Sequence, residues 1–494
     1  YGLSFQKIGK GNPDNPYNNW WGVTHSAAAL CFLAVRDTIP ESQPYLDLEC
    51  ERVASYLLNY GDNGHYYEGT EYGMYSFSYW APLLLACRAS LQRDLAAHAP
   101  GVARIGTLVY MLTVPPAPDA SPGSLGARIF WNDDSGEGFA PDLCSLFFPL
   151  ADPDRQGALK GAFDALFARP SKPTYLHLNR KHGNGMWTLL YYPLDLAAPT
   201  YGTGLPNALI DHKTGLALFR NRYLNSHDTV FGIYAKSYHG GGHVQADAGS
   251  FRLLSLGDRW CYAGGQAKPQ ARYQNTLLKN GVQPGAANGH EKATGKIAYF
   301  ATNPTGGSVS VDLSEAYDTP RARRHFAIAF PPAAEVEAVI SIYDEIIERP
   351  EDPASWTWPL TLGPNLDFVP AQESNGFELH ASSGIAGLQA RFYSPIPHEF
   401  LLQESPTSSR TFADGNLVHY PSVRYVSVTQ EEPSAPPGFF SVLTLQQGPP
   451  PSVTFEGDGT RRQATIGETL QISLDNSKWF KGPLRITPLA NEEP

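Results

Sequence analysis

The spacing of apolar residues changes near residue 200, and this change limits the folds that the chain can adopt. Before it, apolar side chains recur at helical spacing, as in 45–60, which carries Leu48, Val53, Tyr56 and Leu57. After it, short segments alternate apolar and polar residues between Gly, Pro and Asn, which is typical of strands. A segment with Pro and Gly, 197–209, lies at the transition. The sequence therefore predicts helices first and antiparallel β structure second.

The two parts are predicted to be separate domains, because the chain of 494 residues is too long for one core. The helices are expected to pair into an incomplete (α/α) toroid over 1–196, followed by a linker, 197–212, and a large antiparallel β-sandwich region, 213–494. Helices are predicted at 23–35, 45–60, 72–91, 102–114, 156–167 and 175–192. Strands are predicted at 215–220, 229–235, 250–256, 296–301, 308–313, 325–330, 336–343, 377–380, 387–393, 422–429, 439–445 and 470–474.

Composition excludes several classes of protein. No run approaches the ~20 apolar residues that span a bilayer, and the formal net charge of −11 comes without a basic patch for nucleic acid or a membrane surface. Five scattered cysteines without CxxC spacing argue against a zinc knuckle or a disulfide framework. The chain begins at Tyr1 without a signal-like segment. We expect either a removed leader or a start inside a longer protein, and a secreted or periplasmic location.

The stretch Gly240-Gly-Gly-His-Val-Gln-Ala-Asp-Ala-Gly-Ser-Phe251 carries His243, Gln245 and Asp247 at alternate positions. In a strand these side chains would point to one face. An imidazole, an amide and a carboxylate on one face behind a glycine run indicate a site. A satisfied polar strand is the alternative.

Two earlier stretches complete the candidate site. In Asn18-Asn-Trp-Trp-Gly-Val-Thr-His25, the histidine follows the start of the first helix by about one turn; the alternative is an amide cap with a core histidine. In Gly64-His-Tyr-Tyr-Glu-Gly-Thr-Glu-Tyr-Gly-Met-Tyr75, Tyr72 and Tyr75 lie on adjacent turns; the alternative is aromatic packing. The loops 15–21, 61–67 and 131–137 combine aromatic and polar residues, which suits sugar binding or turn formation equally.

These residue types suit the cleavage of a uronic-acid polysaccharide by β-elimination. That reaction needs a base for the weakly acidic C5 proton, donors that neutralise the adjacent carboxylate, and an acid for the leaving oxygen. Tyrosine and histidine suit the proton transfers, and amide or imidazole groups at Asn19, His25 and Gln245 suit neutralisation. Arg220 is a further candidate contact for an anionic glycan, whose attraction must be local because the chain is acidic.

Three motifs together resemble the heparinase II/III-like superfamily, which includes heparin lyases, oligoalginate lyases and dermatan-sulfate epimerase. Asn-Asn-Trp at 18–20, with a polar residue at 25, resembles the first active-site loop. Glu68-Gly-Thr-Glu-Tyr-Gly-Met-Tyr75 resembles the EG-x-x-Y-x-x-Y segment with its catalytic tyrosine. His243-Val-Gln-Ala-Asp-Ala-Gly-Ser-Phe251 resembles the H-x-H-x-D-x-x-S-F motif that opens the β domain. Weaker matches follow at Asn275-Thr-Leu-Leu and Ile342-Tyr-Asp344.

The resemblance implies a helical toroid packed on antiparallel sheets, with the site between them. It implies that Tyr72 is the base or the acid and that His243 is its counterpart. It further implies that His25 and Asn19 neutralise the substrate carboxylate, with Tyr75 as the alternative to Tyr72. The predicted substrate contacts, taken with the candidates above, are Asn19, Trp20, Glu68, Tyr75, Arg220 and Gln245.

Two departures from the family pattern change the expectations. The second motif histidine, often a metal ligand in the family, is Gln245 here, and Trp260-Cys-Tyr-Ala-Gly-Gly265 lacks the family's downstream aspartate. An amide and an alanine do not make a zinc or manganese site, so the metal is predicted to be absent or displaced and no cofactor is expected. The first loop begins at residue 18, so either the toroid is short or its first helices lie outside this chain.

The leading prediction is a polysaccharide lyase acting on a uronate glycan, such as a glycosaminoglycan or alginate. A uronyl C5-epimerase shares the proton abstraction. A glycoside hydrolase would instead pair Glu68 or Glu71 with Asp133 or Asp134. A glycan-binding protein without catalysis is the third alternative. The choice of glycan, endo or exo action and the oligomeric state stay open.

Overall fold

The computed structural model describes most of the chain. It covers residues 16–488, except for 119, 121–123, 133, 135, 137, 168–184, 238–242, 263–269, 286–293, 332–335, 365, 374–375, 385, 394–397, 406, 412–416, 421, 431–437, 458–460 and 476–482. The predicted active-site glycines 240–242 and the hydrolase candidate Asp133 lie outside the described residues.

Helices dominate the first part of the described chain, and one short helix follows among the strands. The helices are α1 (Asn19–Val35), α2 (Gln43–Leu57), α3 (Thr70–Leu91), α4 (Ile105–Leu112), α5 (Pro141–Cys144), α6 (Phe147–Leu150), α7 (Gln156–Phe167), α8 (Met186–Tyr191) and α9 (Ser314–Tyr317). Of these described helices, none has the length and apolar character needed to cross a bilayer.

The helices predicted at 23–35, 45–60, 72–91 and 156–167 are confirmed, with small shifts at their ends. The helix predicted at 102–114 ends at Leu112. Its C-cap residue Thr113 has extended backbone (φ −106°, ψ 130°) and begins a strand. Of the helix predicted at 175–192, the part before residue 185 lies outside the described residues, and the rest contains α8.

Helices α1, α2 and α3 pack closely enough to bring two helix starts together. Gly22 of α1 faces the Tyr56 ring of α2, and a Cβ at Gly22 would come within 2.4 Å of that ring. The Tyr56 hydroxyl donates to Ser76 Oγ of α3 (2.8 Å). Asn19, the first residue of α1, is hydrogen-bonded to Glu68, just before α3. The candidate site residues of both helices therefore lie at the same end of this helix group.

Strands make up most of the remaining described chain. In chain order they are β1 (Thr113–Val114), β2 (Ala127–Arg128), β3 (Ala208–Asp211), β4 (Leu216–Arg220), β5 (Val230–Tyr234), β6 (Ser250–Ser255), β7 (Asp258–Cys261), β8 (Leu278–Lys279), β9 (Lys296–Asn303), β10 (Gly306–Asp312), β11 (Arg321–Ala329), β12 (Ala338–Ile347), β13 (Trp356–Thr361), β14 (Asp367–Glu373), β15 (Gly376–Ser382), β16 (Gly387–Tyr393), β17 (His398–Glu404), β18 (Ser408–Thr411), β19 (Leu417–Tyr420), β20 (Arg424–Gln430), β21 (Gly438–Gln446), β22 (Val453–Gly457), β23 (Arg461–Ile466), β24 (Leu470–Asp475) and β25 (Leu484–Pro488).

The described strands pair antiparallel. We call β3-β4-β5-β6-β7 the junction sheet and β14-β15-β16-β21-β12-β11-β10-β9 the long sheet. Further sheets have the orders β17-β20-β13-β8 and β22-β23-β24-β25, and β1-β2 and β18-β19 form hairpins. Helices followed by antiparallel sheets confirm the predicted fold class at this level, whereas the toroid and the sandwich remain predictions.

The junction sheet is buried on both faces because apolar residues occupy successive positions along its strands. On one face Leu218 packs with Leu108 of α4 in one apolar cluster. On the other face Phe231 packs against Phe326 of the long sheet, with ring centroids 6.0 Å apart. This sheet therefore joins the helices to the rest of the β structure.

The predicted division into 1–196, a linker and 213–494 stays a prediction, with one correction. Strand β3 lies inside the predicted linker 197–212, because Ala208 and its neighbours pair in register with β4 (Ala208 opposite Phe219). The irregular connection therefore ends before residue 208.

The two weaker motif matches meet at one buried arginine. Arg324 Nε donates to Asp344 Oδ1 (2.7 Å), and Arg324 Nη1 donates to the carbonyls of Asn275 (2.8 Å) and Gly249 (3.1 Å). Both charged side chains are fully buried. Burial raises the pKa of Asp344 although Arg324 opposes this shift. The matched residues at 275 and 342–344 therefore support the fold beneath the His243 stretch.

We expect Asp344→Asn to lower the free energy of unfolding by about 3–5 kcal/mol, because Arg324 would keep its buried charge without the carboxylate. Urea unfolding followed by tryptophan fluorescence measures the change.

Asp318→Asn is the matched control. The Asp318–Arg349 pair has a similar distance (3.0 Å) but both side chains are exposed. Exposed pairs contribute little because water screens them. Equal losses in the two variants would contradict the structural role of the Arg324–Asp344 pair.

Candidate active site

Tyr72 lies in the first turn of α3 and contacts His243 of the β region. The two rings stack with centroids 3.5 Å apart and an interplanar angle of 14°. Each side chain is partly exposed. The structure therefore brings together the two residues that the sequence analysis predicts to transfer protons. They lie 171 positions apart in the chain.

The His243 stretch is not a strand. Residues 243–249 form an irregular loop that enters β6 at Ser250. The prediction that His243, Gln245 and Asp247 share one strand face is therefore wrong. Asp247 is fully buried and accepts a hydrogen bond from the Asn132 backbone N–H (3.0 Å). The directions of these side chains are set by their partners in the protein interior and not by the alternation of a strand.

Asn19 and Glu68 form a buried pair between the starts of α1 and α3. Glu68 Oε2 accepts from Asn19 Nδ2 (2.6 Å) and from the Asn19 backbone N–H (2.9 Å). Asn19 is 1% exposed and Glu68 is 0% exposed. Their predicted roles as direct substrate contacts are corrected on this ground: the pair positions two helix starts. Asn18 Oδ1 caps α1 by accepting from the Trp20 N–H (2.8 Å), as the capping alternative predicted.

Trp20 and Tyr75 lie where a sugar ring could stack. Trp20 is 49% exposed, and its ring meets Tyr75 edge-on with centroids 6.1 Å apart. Burial raises the pKa of Tyr75 to about 12, so its phenol is a poor base near neutral pH. The geometry suits binding at Trp20 and Tyr75 better than catalysis by Tyr75.

His25 lies on another side of α1. Five positions separate it from Trp20, which is roughly 140° around a helix with 3.6 residues per turn. Its Nδ1 is hydrogen-bonded to Glu49 of α2, and its ring packs on Trp21. Glu49 also accepts from Arg52 Nη1 (2.8 Å). The predicted catalytic role of His25 is therefore corrected: it faces α2 and contributes to an ion-pair cluster there.

Arg220 is also removed from the predicted substrate contacts. It is 1% exposed, and Nη1 donates to the carbonyls of Tyr110 (2.9 Å) and Thr113 (2.7 Å). Nη2 donates to Asp228 Oδ2 (2.9 Å). The guanidinium thus satisfies the C-terminal end of α4, where backbone carbonyls have no partner within the helix.

Gln245 occupies the position that the motif resemblance assigns to a metal ligand, and its surroundings do not fit a metal. It is 5% exposed, and its Oε1 accepts from Gln274 Nε2 (2.8 Å). Gln274 Oε1 in turn accepts from buried Arg252 Nη2 (2.7 Å). The positive charge of the Arg252 guanidinium, two side chains away, disfavours the binding of a metal cation at Gln245. Across the described part of the chain, no group of three or more His, Cys, Asp or Glu side chains could hold a metal ion. Gln245 is therefore a network residue rather than an exposed substrate contact.

A charged cluster beside Tyr72, in which Arg128 and Asp134 are buried, has no local signal in the sequence. Arg128 contacts Asp134 Oδ2 (3.4 Å) and Glu71 Oε2 (3.5 Å). Asp134 Oδ2 also accepts from the Glu71 backbone N–H (3.0 Å), in the first turn of α3. The sequence 131–137 is aromatic and acidic, but no local pattern indicates that Asp134 bonds to the first turn of α3.

We expect Gly69→Ala to destabilise the protein by more than backbone strain alone. Gly69 has φ 105° and ψ 169°, a conformation that costs other residues about 1–3 kcal/mol. A Cβ would also come 2.5 Å from Asp134 Oδ1. Gly384→Ala is the control, since Gly384 also has positive φ (82°) but its Cβ would meet nothing within 4 Å. Thermal unfolding should show the larger loss for Gly69→Ala, and equal losses would contradict the contact.

Solved structures with similar folds are polysaccharide lyases by name. Heparinase III matches with a TM-score of 0.62 and 15% identity over 93% of this chain and 68% of that one. A heparinase III gene product matches at 0.57 and 11%, over 94% and 65%. A heparan sulfate lyase from Pedobacter heparinus matches at 0.56 and 11%, over 95% and 66%.

The likeness is one of structure. No protein-family model matches the sequence, and no curated protein matches it either. The chain spans about two thirds of the length of these structures, 65–68%. Identities of 11–15% establish the fold and leave the activity open. The predicted resemblance to the heparinase II/III-like lyases is confirmed at this level: the chain has the fold of heparinase III.

Proposed function

We propose that this protein cleaves a uronic-acid glycan by β-elimination at the junction between its helices and its β structure. The stack of Tyr72 on His243 (3.5 Å between ring centroids) is the observation that carries the proposal. The Tyr72 and His243 side chains can each donate or accept a proton. They come from different parts of the fold and are partly exposed. The fold of heparinase III supports the same reaction class.

In this proposal one of the two side chains removes the uronate C5 proton. The electron pair of the C5–H bond forms the C4–C5 double bond, and the bond from C4 to the glycosidic oxygen breaks. The other side chain supplies the proton that the leaving oxygen takes up. General acid–base groups of this kind contribute about 10²–10⁴-fold each.

Neutralisation of the substrate carboxylate lowers the cost of the carbanion that follows proton removal. With Asn19 buried against Glu68, His25 facing α2 and Gln245 buried against Gln274, none of the three predicted neutralisers is exposed beside Tyr72. We therefore assign this role to a ring N–H of His243, with Tyr72 as the base. Trp20, half exposed beside Tyr75, provides a surface on which a sugar ring of the glycan stacks.

The hydrolase alternative finds less support in the described residues. Glu68 is fully buried and bonded to Asn19, and Asp134 is buried and contacts Arg128. A hydrolytic pair needs one carboxylate that reaches the leaving oxygen and a second that reaches water or the anomeric carbon. Neither of these carboxylates is exposed to do so. Glu71, the other described candidate, is 40% exposed but is paired with Arg128, and Asp134 is not exposed as its partner.

The first test is incubation with heparan sulfate, hyaluronan, chondroitin, dermatan, alginate and glucuronan. A rise in absorbance at about 232 nm, from unsaturated uronate, is the expected result with at least one glycan. Exchange of the C5 proton in heavy water without this absorbance would identify an epimerase instead. The absence of both signals with every glycan would overturn the proposal.

We expect Tyr72→Phe and His243→Ala each to lower kcat on the cleaved glycan by about 10²–10⁴-fold, because each removes a proton-transfer group. Tyr45→Phe is the control, since Tyr45 is 58% exposed and stacks on Phe32 at the α1–α2 contact. Tyr72→Phe with full activity, alongside inactive Tyr75→Phe, would place the catalytic tyrosine one turn further along α3.

We expect a chelator such as EDTA to leave the initial rate unchanged, because Gln245 faces an amide donor and a nearby guanidinium rather than metal ligands. The 232 nm assay with and without chelator measures this. Loss of activity that added zinc or manganese restores would contradict the absence of a metal.

A further inference from the structure

Trp131, Asn132 and Asp134 lie between the helix that carries Tyr72 and the loop that carries His243. Trp131 is 1% exposed and packs against the junction sheet where Gly232 has no side chain. A Cβ at Gly232 would come within 2.5 Å of the Trp131 ring. Asn132 follows with φ 57°, a left-handed conformation that asparagine tolerates better than most residues. The backbone N–H and the side chain of Asn132 both form hydrogen bonds with neighbouring loops.

Asn132 binds the His243 loop at two points. The Asn132 backbone N–H donates to Asp247 Oδ2 (3.0 Å). Asn132 Oδ1 accepts from the backbone N–H of Gln245, two residues after His243 (3.4 Å). Burial raises the pKa of Asp247, while the Asn132 N–H and Lys236 oppose this shift. The end of the His243 loop is thereby tied to Asn132.

The same loop also binds the chain that leads into α3. Asn132 Nδ2 donates to the Tyr67 carbonyl (3.0 Å), five residues before Tyr72. Asp134 Oδ2 accepts from the Glu71 backbone N–H (3.0 Å). Helix α3 has Gly69 as its N-cap and no side-chain cap of its own, so Asp134 supplies an acceptor that the local sequence lacks.

We propose that Asn132 is a positioning residue. It holds the His243 loop and the start of α3 in a fixed relative position, so that the His243 imidazole stacks on Tyr72. The side chain makes one bond to each side: Oδ1 to the His243 loop and Nδ2 to the Tyr72 side. The catalytic consequence rests on the proposed function, whereas the positional claim does not.

Asn132→Gly is the decisive variant. Glycine keeps the left-handed backbone and the N–H to Asp247, and it removes both side-chain bonds together with the hydrogen bond of this side chain to Tyr234. Misplacement of reacting groups by about 1 Å costs up to ~10²-fold in rate. We expect kcat on the cleaved glycan to fall by about 10–100-fold with KM nearly unchanged, since Trp20 and Tyr75 still bind the sugar.

Asn221→Gly is the matched control. Asn221 also makes two side-chain bonds, Nδ2 to Glu337 Oε1 (2.6 Å) and Oδ1 from the Thr229 N–H (2.8 Å). Asn221 bonds to Thr229, just before β5, whereas Gly249 at the end of the His243 loop bonds to Tyr234, the last residue of β5. Five residues at 3.3 Å each separate these two points by roughly 16 Å. We expect a comparable loss of stability in this control with kcat unchanged.

A second readout needs no activity. The His243 ring protons lie over the Tyr72 ring, so its ring current should shift their resonances upfield in the NMR spectrum of histidine-labelled protein. The resonance is assigned by its loss in His243→Gln. We expect the upfield shift to shrink in Asn132→Gly and to persist in Asn221→Gly. Should Asn132→Gly not fold, Asn132→Asp retains an acceptor for the Gln245 N–H, removes the donor to Tyr67 and adds a carboxyl group near buried Asp247.

The outcomes separate this inference from the proposed function. An unchanged His243 resonance in the folded Asn132 variants, or a KM rise with kcat unchanged, would overturn the positioning role. A changed resonance in a protein that acts on no glycan would support the positioning role and reject the lyase. Equal losses of kcat in Asn132→Gly and Asn221→Gly would reduce the role of Asn132 to general stability.

Discussion

The candidate site depends on the burial of the junction sheet on both of its faces. One face packs on the helices through residues such as Leu218, and the other packs on the long sheet through residues such as Phe231. Apolar burial contributes roughly 25 cal/mol per Å² and has no directional preference. It therefore holds the two parts of the fold together, but it does not by itself define the position of His243 relative to Tyr72.

Hydrogen bonds at the edge of this junction, which are directional, define the position of His243 relative to Tyr72. Asn132 and Asp134 bind the His243 loop and the start of α3, and Asn19 with Glu68 fixes α1 against α3. Buried polar groups are costly when they lack partners, so a network of this kind favours one arrangement over near alternatives. The network also accounts for Gln245: where the family has a metal ligand, an amide joins a chain of hydrogen bonds that ends at Arg252.

Several predictions from the sequence failed for one shared reason. His25, Glu68 and Arg220 are residue types that suit an anionic substrate, yet the structure pairs each with a partner in the protein. A charged side chain in a loop or at a helix start serves equally well as a ligand contact or as an internal partner. Exposure separates the two uses, and exposure depends on how distant segments pack.

The sequence by itself determined the types of element, their order and the proximity of Tyr72 to His243. Hydrophobic period is a local property, so helices and strands can be assigned from a few neighbouring residues, and the motif resemblance supplied the pairing. Only the tertiary structure decided that 243–249 is a loop, that His25 faces α2, and that Asn132 links both sides of the site. The Asn132–Asp247 contact joins residues 115 positions apart, and no local pattern records a hydrogen bond over that separation.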